Sequence, residues 1–194
     1  AHRCGTDLSD AEVETLLYSS EGWFSAVYLN LRTFSEHGVL PSRHSDIYTT
    51  FSEAMIDPLP EKQQAFLAVM GLADEFTVEM ARYVTGDAEA AQIVALLTEQ
   101  NAFVTRLSDG VSYRFHHMMK ECAERRFHKM SEASQHLYWT RYGAWYEKEK
   151  QYIHAIAAYR KSEDYDALLR VIRSDAGILL ASLKSADVLE VLDR

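Results

Sequence analysis

Cysteine is almost missing from this chain: Cys4 and Cys122 are all it has in 194 residues. Two thiols cannot make a disulfide scaffold, and their scarcity fits a reducing, cytoplasmic setting. Proline (3) and glycine (8) are also scarce, which argues against an all-β fold with many tight turns and favours helices. No apolar run reaches the roughly 18 residues a membrane helix needs. The longest near-apolar stretch, residues 22–31, is too short. The first residues, AHRCGTDLSD, contain no signal-peptide core. They also lack an initiator Met, so a fragment of a longer protein is expected. Cations are the minority charge: 20 Lys and Arg against 29 Asp and Glu leave a net charge of −9. A chain so acidic is a poor non-specific binder of polyanions.

What is present is apolar and aromatic. Hydrophobic residues make up 47% and aromatics 11%, enough for one sizeable core or two small ones, and too much for a disordered chain. Ser9 and Glu12 form a capping box ahead of Val13, Leu16 and Leu17, so a helix should start there. A second helical stretch carries Trp23, Val27, Leu29 and Leu31, and Gly38 and Pro41 end it. Residues 47–56 read as a helix. Pro60 suits the first position of the next helix, whose apolar face is Phe66, Leu67, Val69 and Met70 and whose end is Gly71. Residues 77–84 make a short helix closed by Gly86. Asp87 caps another, with Ile93, Val94, Leu96 and Leu97 facing inward.

The period then changes. Residues 103–107 and 111–115 are β-prone runs flanking Asp109-Gly110, the strongest short-range hairpin signal in a sequence. A helix over residues 117–130 follows. Packed helices and then one β-hairpin make the winged-helix pattern. The fold class expected is mainly α: a winged-helix domain with one β-hairpin wing, then antiparallel helical repeats of the tetratricopeptide kind. The repeat signal is Trp139, Tyr142, Gly143 and Tyr146, with Ala155 and Tyr159 beyond. Gly143 and Ala155 are small enough for two helices to approach closely.

Catalytic equipment is largely missing. No two glycines are five apart, as a phosphate-binding P-loop requires, and none are two apart, as a dinucleotide fingerprint requires. G-x-S-x-G and H-E-x-x-H are also lacking. The chain is expected to be no enzyme. His116, His117, Cys122 and His128 are the one candidate metal cluster, but their spacing leaves only His117 with Glu121 and Glu124 with His128 four apart, so no metal site is expected. Cys122 reads as a buried thiol sooner than a nucleophile.

A DNA-reading winged helix would place residues 87–100 in the major groove. That helix carries Asp87, Glu89 and Glu99, and no Lys or Arg stands between Arg82 and Arg106. The phosphate backbone would repel it. Basic residues gather instead on and after the wing: Arg114, Lys120, Arg125, Arg126 and Lys129, diluted by Glu121 and Glu124. No direct DNA contact by this segment is expected.

Three patterns in one order point to a family. They are SSEGWFSAV (residues 19–27), YRFHHMMKECAERRF (113–127) and WTRYGAWYEKEKQYIHAIAAYR (139–160). The chain resembles the MalT-like, ATP-dependent LuxR-family transcription regulators of the STAND class. In that family a nucleotide-binding core is followed by a helical lid, a winged helix, an arm and a helical-repeat sensor, with a helix-turn-helix at the end.

The resemblance implies three parts: residues 1–40 as the end of the lid, 41–130 as the winged helix, and 131–194 as the arm and the start of the sensor. It implies ATP or ADP as cofactor of the whole protein, with none tightly bound to this segment. Its partners would be the core and sensor of its own chain, an inducer, and other copies on activation, with no membrane involved.

Two site positions carry over. The family's lid has Gly-Trp-Pro, whose proline packs on adenine. Gly22-Trp23-Phe24 stands there, so Phe24 replaces that proline and could stack on a base. A histidine after the family's wing contacts the β-phosphate of ADP, a role that falls on His116. A structural histidine capping the following helix is the alternative. The implied mechanism is a two-state switch between an ADP-held closed form and an open, ATP-bound, self-associating form. Alternative readings are a helical-repeat scaffold for a protein partner and a winged-helix DNA-binding module.

Overall fold

The computed structural model describes residues 8–20, 48–49, 51–99 and 104–174, together with Val27 and Leu31. Expectations for residues 22–24, among them the Gly22 and Phe24 site positions, lie outside the described residues. The chain divides into two compact units, residues 1–75 with 92–126 and residues 76–91 with 127–194. Each is described by itself below.

In the first unit, helix α1 (Asp10–Ser20) starts at the expected capping box. Ser9 N–H donates to Glu12 Oε2 at 2.8 Å, and Glu12 N–H donates back to Ser9 Oγ at 3.4 Å. These bonds hold the Glu12 carboxyl below its ordinary range. The expected helix over residues 47–56 ends differently, in a π-helical turn (Ser52–Ile56) closed by Asp57 N–H on Ser52 O at 2.9 Å. The physical reason is burial. Phe51 and Ile56 are both fully buried. A five-residue spacing fits an i→i+5 turn better than the 3.6-residue α period.

Pro60 is the cap of helix α2 (Glu61–Met70), not its first residue, because its ψ of 142° is extended. Gln64 fastens the proline turn by donating its amide to Asp57 O at 3.0 Å and Leu59 O at 2.7 Å. The end of α2 is buried on every side, from Phe66 through Met70. Gly71 follows with an ordinary helical φ of −63°, so its value is space. A Cβ there would stand 2.2 Å from the Cβ of Ala123.

The wing lies in this unit. Strands β2 (Val104–Arg106) and β3 (Ser112–Phe115) pair antiparallel, with Val104 opposite Phe115 and Arg106 opposite Tyr113. Asp109 and Gly110 do not both take left-handed backbone, as a tight two-residue turn would need. Only Gly110 does, with φ +72°. Gly110 N–H closes a turn on Leu107 O at 3.0 Å, while Asp109 Oδ1 accepts from the amides of Val111 and Ser112 at 3.0 and 2.9 Å. Those bonds hold the Asp109 carboxyl below its ordinary range. Helix α5 (His117–Phe127) begins at once and buries Met118, Met119, Cys122 and Ala123. It stops three residues short of the expected residue 130.

The second unit opens with a two-residue strand, β1 (Phe76–Thr77), too short to leave a sequence signal. Helix α3 (Val78–Thr85) is capped by Thr77 Oγ1, which accepts from Met80 N at 3.1 Å, and is closed by Gly86 at φ +72°. Helix α4 (Ala90–Glu99), which from Gln92 on belongs to the first unit, starts later than expected. Asp87 spends its carboxylate on Glu89 N–H at 2.8 Å, in a turn before the helix. Ile93, Val94 and Leu97 are buried as expected, but Leu96 is 46% exposed. It stands off the buried stripe by one residue.

Helices α6 (Glu132–Lys148), α7 (Tyr152–Lys161) and α8 (Tyr165–Ser174) complete the second unit. The close approach expected at Gly143 is present: a Cβ there would lie 2.5 Å from the Tyr159 ring. Ala155, Ile156 and Tyr159 of α7 form one core with Ala167, Leu168 and Val171 of α8. Both connections use the same device. Lys150 (φ 59°) and Glu163 (φ 54°) take the left-handed conformation. Beside them, Gln151 N–H reaches back to Tyr146 O at 2.8 Å and Asp164 N–H to Tyr159 O at 3.0 Å. These are Schellman endings with a side chain where glycine is usual.

Two stability outcomes follow. Gly71→Ala forces a methyl into Ala123 and should destabilise the chain by about 1–3 kcal/mol, read as a lower midpoint in urea unfolding. Lys150→Gly relieves a left-handed backbone and should raise the midpoint, by about 0.5–1 kcal/mol.

Candidate functional site

His116 stands between the end of β3 and the start of α5, where an extended strand must become a helix. Its backbone carbonyl accepts from Lys120 N–H at 3.0 Å. Its side-chain Nδ1 accepts from Met118 N–H at a long 3.4 Å. These are the two functions of an N-cap residue. With Nδ1 accepting, the ring proton of the neutral imidazole is on Nε2. The His117 ring lies 4.8 Å away, tilted by 47°. His116 is half-buried and the strand residue before it, Phe115, is buried, so the ring is tethered at one edge. The N-terminal amides of α5 add a partial positive charge beside it.

The basic residues around this turn are spoken for by other groups. Arg114 forms an ion pair with Glu75, and Lys120 with Asp74. Arg126 pairs with Asp57 and also donates to Gln64 Oε1 at 2.9 Å and Ser52 Oγ at 3.3 Å. It thereby joins α5 to the π-helical turn and to α2. Burial lowers the affinity of this guanidinium for its proton. Arg125 lies over the Tyr48 ring, 4.5 Å from its centroid. The charges expected to form a basic patch are thus mostly matched by carboxylates or an aromatic face. On α4 and the turn before it, the exposed residues include Glu89, Gln92, Ala95, Leu96 and Glu99, with no cation among them.

Cys122 is 2% exposed, and its Sγ donates to Tyr48 O at 3.5 Å. Burial pushes the thiol up to about 12, so it holds its proton and is no nucleophile at neutral pH. Among the described residues, no group of three His, Cys, Asp or Glu is gathered so as to hold a metal ion. No described helix is long and apolar enough to cross a membrane.

Sequence reasoning missed the residues that tie elements together: Arg126 in the first unit, and Arg141, Glu147 and Arg170 in the second. Asp57 and Arg126 are 69 residues apart, and Glu147 and Arg170 are 23 apart. No local spacing announces such pairs. The arginines read simply as solvated charge.

The fold and the wing define a winged-helix protein. More particularly, the family model of the MalT winged helix domain matches residues 52–135, the stretch from the π-helical turn through the wing and α5 to the first residues of α6. Over that stretch this chain is a MalT-like winged helix domain. No curated protein matches the chain.

One measurement checks the electrostatics of the buried thiol. With Cys4 replaced by serine, Cys122 should react with a thiol reagent at pH 8 on the order of a thousand-fold more slowly in the folded chain than in denaturant.

Proposed function

We propose that this chain is the regulatory, non-catalytic segment of a cytoplasmic transcription regulator switched between ADP and ATP. It would couple nucleotide state to inducer sensing and self-association. The observation that carries the reading is the match of residues 52–135 to the MalT winged helix domain. The phosphate-binding loop and the DNA-reading helix-turn-helix would belong to parts of the protein outside these 194 residues. The helices after the winged helix would begin the repeat sensor, and the close packing of Gly143 against Tyr159 supports that.

His116 would meet the β-phosphate of ADP. Three features support the role: its place at the start of α5, an Nε2 proton to donate, and the partial positive charge of the helix terminus. Gly22 and Phe24 would face the adenine. Binding of ADP across the core and the winged helix would favour a closed form. Inducer would shift the equilibrium only by its greater affinity for the open one. The exposed face of α4, without cations, and the ion pairs of Arg114, Lys120 and Arg126 favour this role over direct DNA reading.

The test is ADP affinity in the full-length protein. His116→Asn retains a side chain that can cap α5 but removes the imidazole. It should weaken ADP binding by about tenfold, the loss of one hydrogen bond to a charged group. Unchanged ADP affinity in that variant would reduce His116 to its capping role. A titration of the 194-residue chain with duplex DNA supplies the second arm. Tight binding that falls steeply with salt would favour the DNA-binding reading instead.

A further inference from the structure

Helix α6 grips an element on each side within the second unit. Toward α3, Arg141 Nη1 donates to Val84 O at 3.2 Å and Thr85 O at 3.1 Å, the last carbonyls of that helix. A cation is favoured at that end of a helix. Gly86 makes the approach possible, because a Cβ there would lie 2.9 Å from Arg141 Nη1. Further along, the Trp145 ring meets Tyr83 at 5.5 Å, and Lys148 Nζ pairs with Glu79 at 3.0 Å. The grip runs along both ends of α3.

Toward α7 and α8, the Glu147 carboxylate is shared. Tyr159 Oη of α7 donates to Oε2 at 2.8 Å. Arg170 of α8 donates twice, Nε to Oε1 at 3.1 Å and Nη2 to Oε2 at 2.8 Å. The bonds hold the Glu147 carboxyl below its ordinary range. Exposed ion pairs alone are worth little. This one is bidentate and is completed by the hydroxyl of a residue only 2% exposed, the arrangement in which charge-assisted bonds strengthen one another. The apolar face of α8 packs on α7, and its guanidinium is what reaches α6. Glu147 and Lys148 are neighbours in sequence, so the clamp on α8 and the bridge to α3 sit at consecutive positions of one helix.

We infer that Glu147 is the coupling point through which the position of α8 is transmitted to α3. Helix α3 lies inside the segment matched by the winged-helix family, so whatever moves or releases α8 acts on that helix through α6. The device is mechanical: a shift of Arg170 pulls on Glu147, and the next residue carries the displacement to Glu79. The inference needs no nucleotide and stands apart from the role proposed for His116.

Backbone hydrogen exchange on the 194-residue chain tests it. Glu147→Gln keeps the shape but weakens the bonds to Arg170 and Tyr159. The amides of α8 and those of α3 should both exchange about tenfold faster, with α2 unchanged. Faster exchange in α8 alone overturns the coupling. Equal acceleration in α2 also overturns it, since that marks a global loss of stability. Arg170→Met leaves Glu147, Tyr159 and every residue touching α3 in place. It should likewise quicken α3 exchange several-fold, and an unchanged α3 in that variant overturns the proposal even if Glu147→Gln does not fold.

Discussion

Two helices can come no closer than the side chains between them permit, and in each unit of this chain the decisive contact is one where a side chain is missing. Gly71 lets the end of α2 rest on Ala123 of α5, and Gly143 lets α6 rest on the ring of Tyr159. The interlocking that follows depends on these approaches. With α2 close to α5, Arg126 can reach Asp57, Gln64 and Ser52 together. With α6 close to α7, the Tyr159 hydroxyl meets Glu147 and completes the clamp on Arg170. A methyl group at either glycine would separate the helices before the polar groups could meet.

The excess of acid over base acquires a structural meaning from these contacts. Cations are the scarcer charge, and several of those placed on elements act as connectors: Arg114 and Lys120 to the acids before β1, Arg126 to the π-helical turn, Arg141 to the end of α3, Arg170 to α6. Helix α4, the element a DNA-reading winged helix would offer, exposes no cation. The same economy leaves His116 as the polar side chain that marks the start of α5.

Much of the local structure was legible. The Ser9 and Glu12 box, the closing Gly86 and the hairpin around Asp109-Gly110 each place a donor, an acceptor or a free backbone within a few residues, and such features act at short range. The departures share a cause as well. The π-helical turn and the exposure of Leu96 were decided by which residues the surrounding core had room to bury. Lys150 and Glu163 sit where glycine is usual at a helix end, and the Schellman bonds and the packed helices hold the backbone left-handed against its preference.

The site shows the same division. The position of His116 between a strand and a helix follows from the order of residues alone, as does the neighbourhood of cations after the wing. That Nδ1 is committed to Met118 N–H, that the arginines are matched by distant acids, and that Cys122 is sealed under Tyr48 are tertiary facts. The sequence by itself determined the class of fold, its capping and its turns, since those depend on neighbours a few bonds away. Only the tertiary structure decided which charges meet, since the partners lie tens of residues apart and are joined by glycines whose value is the space they leave empty.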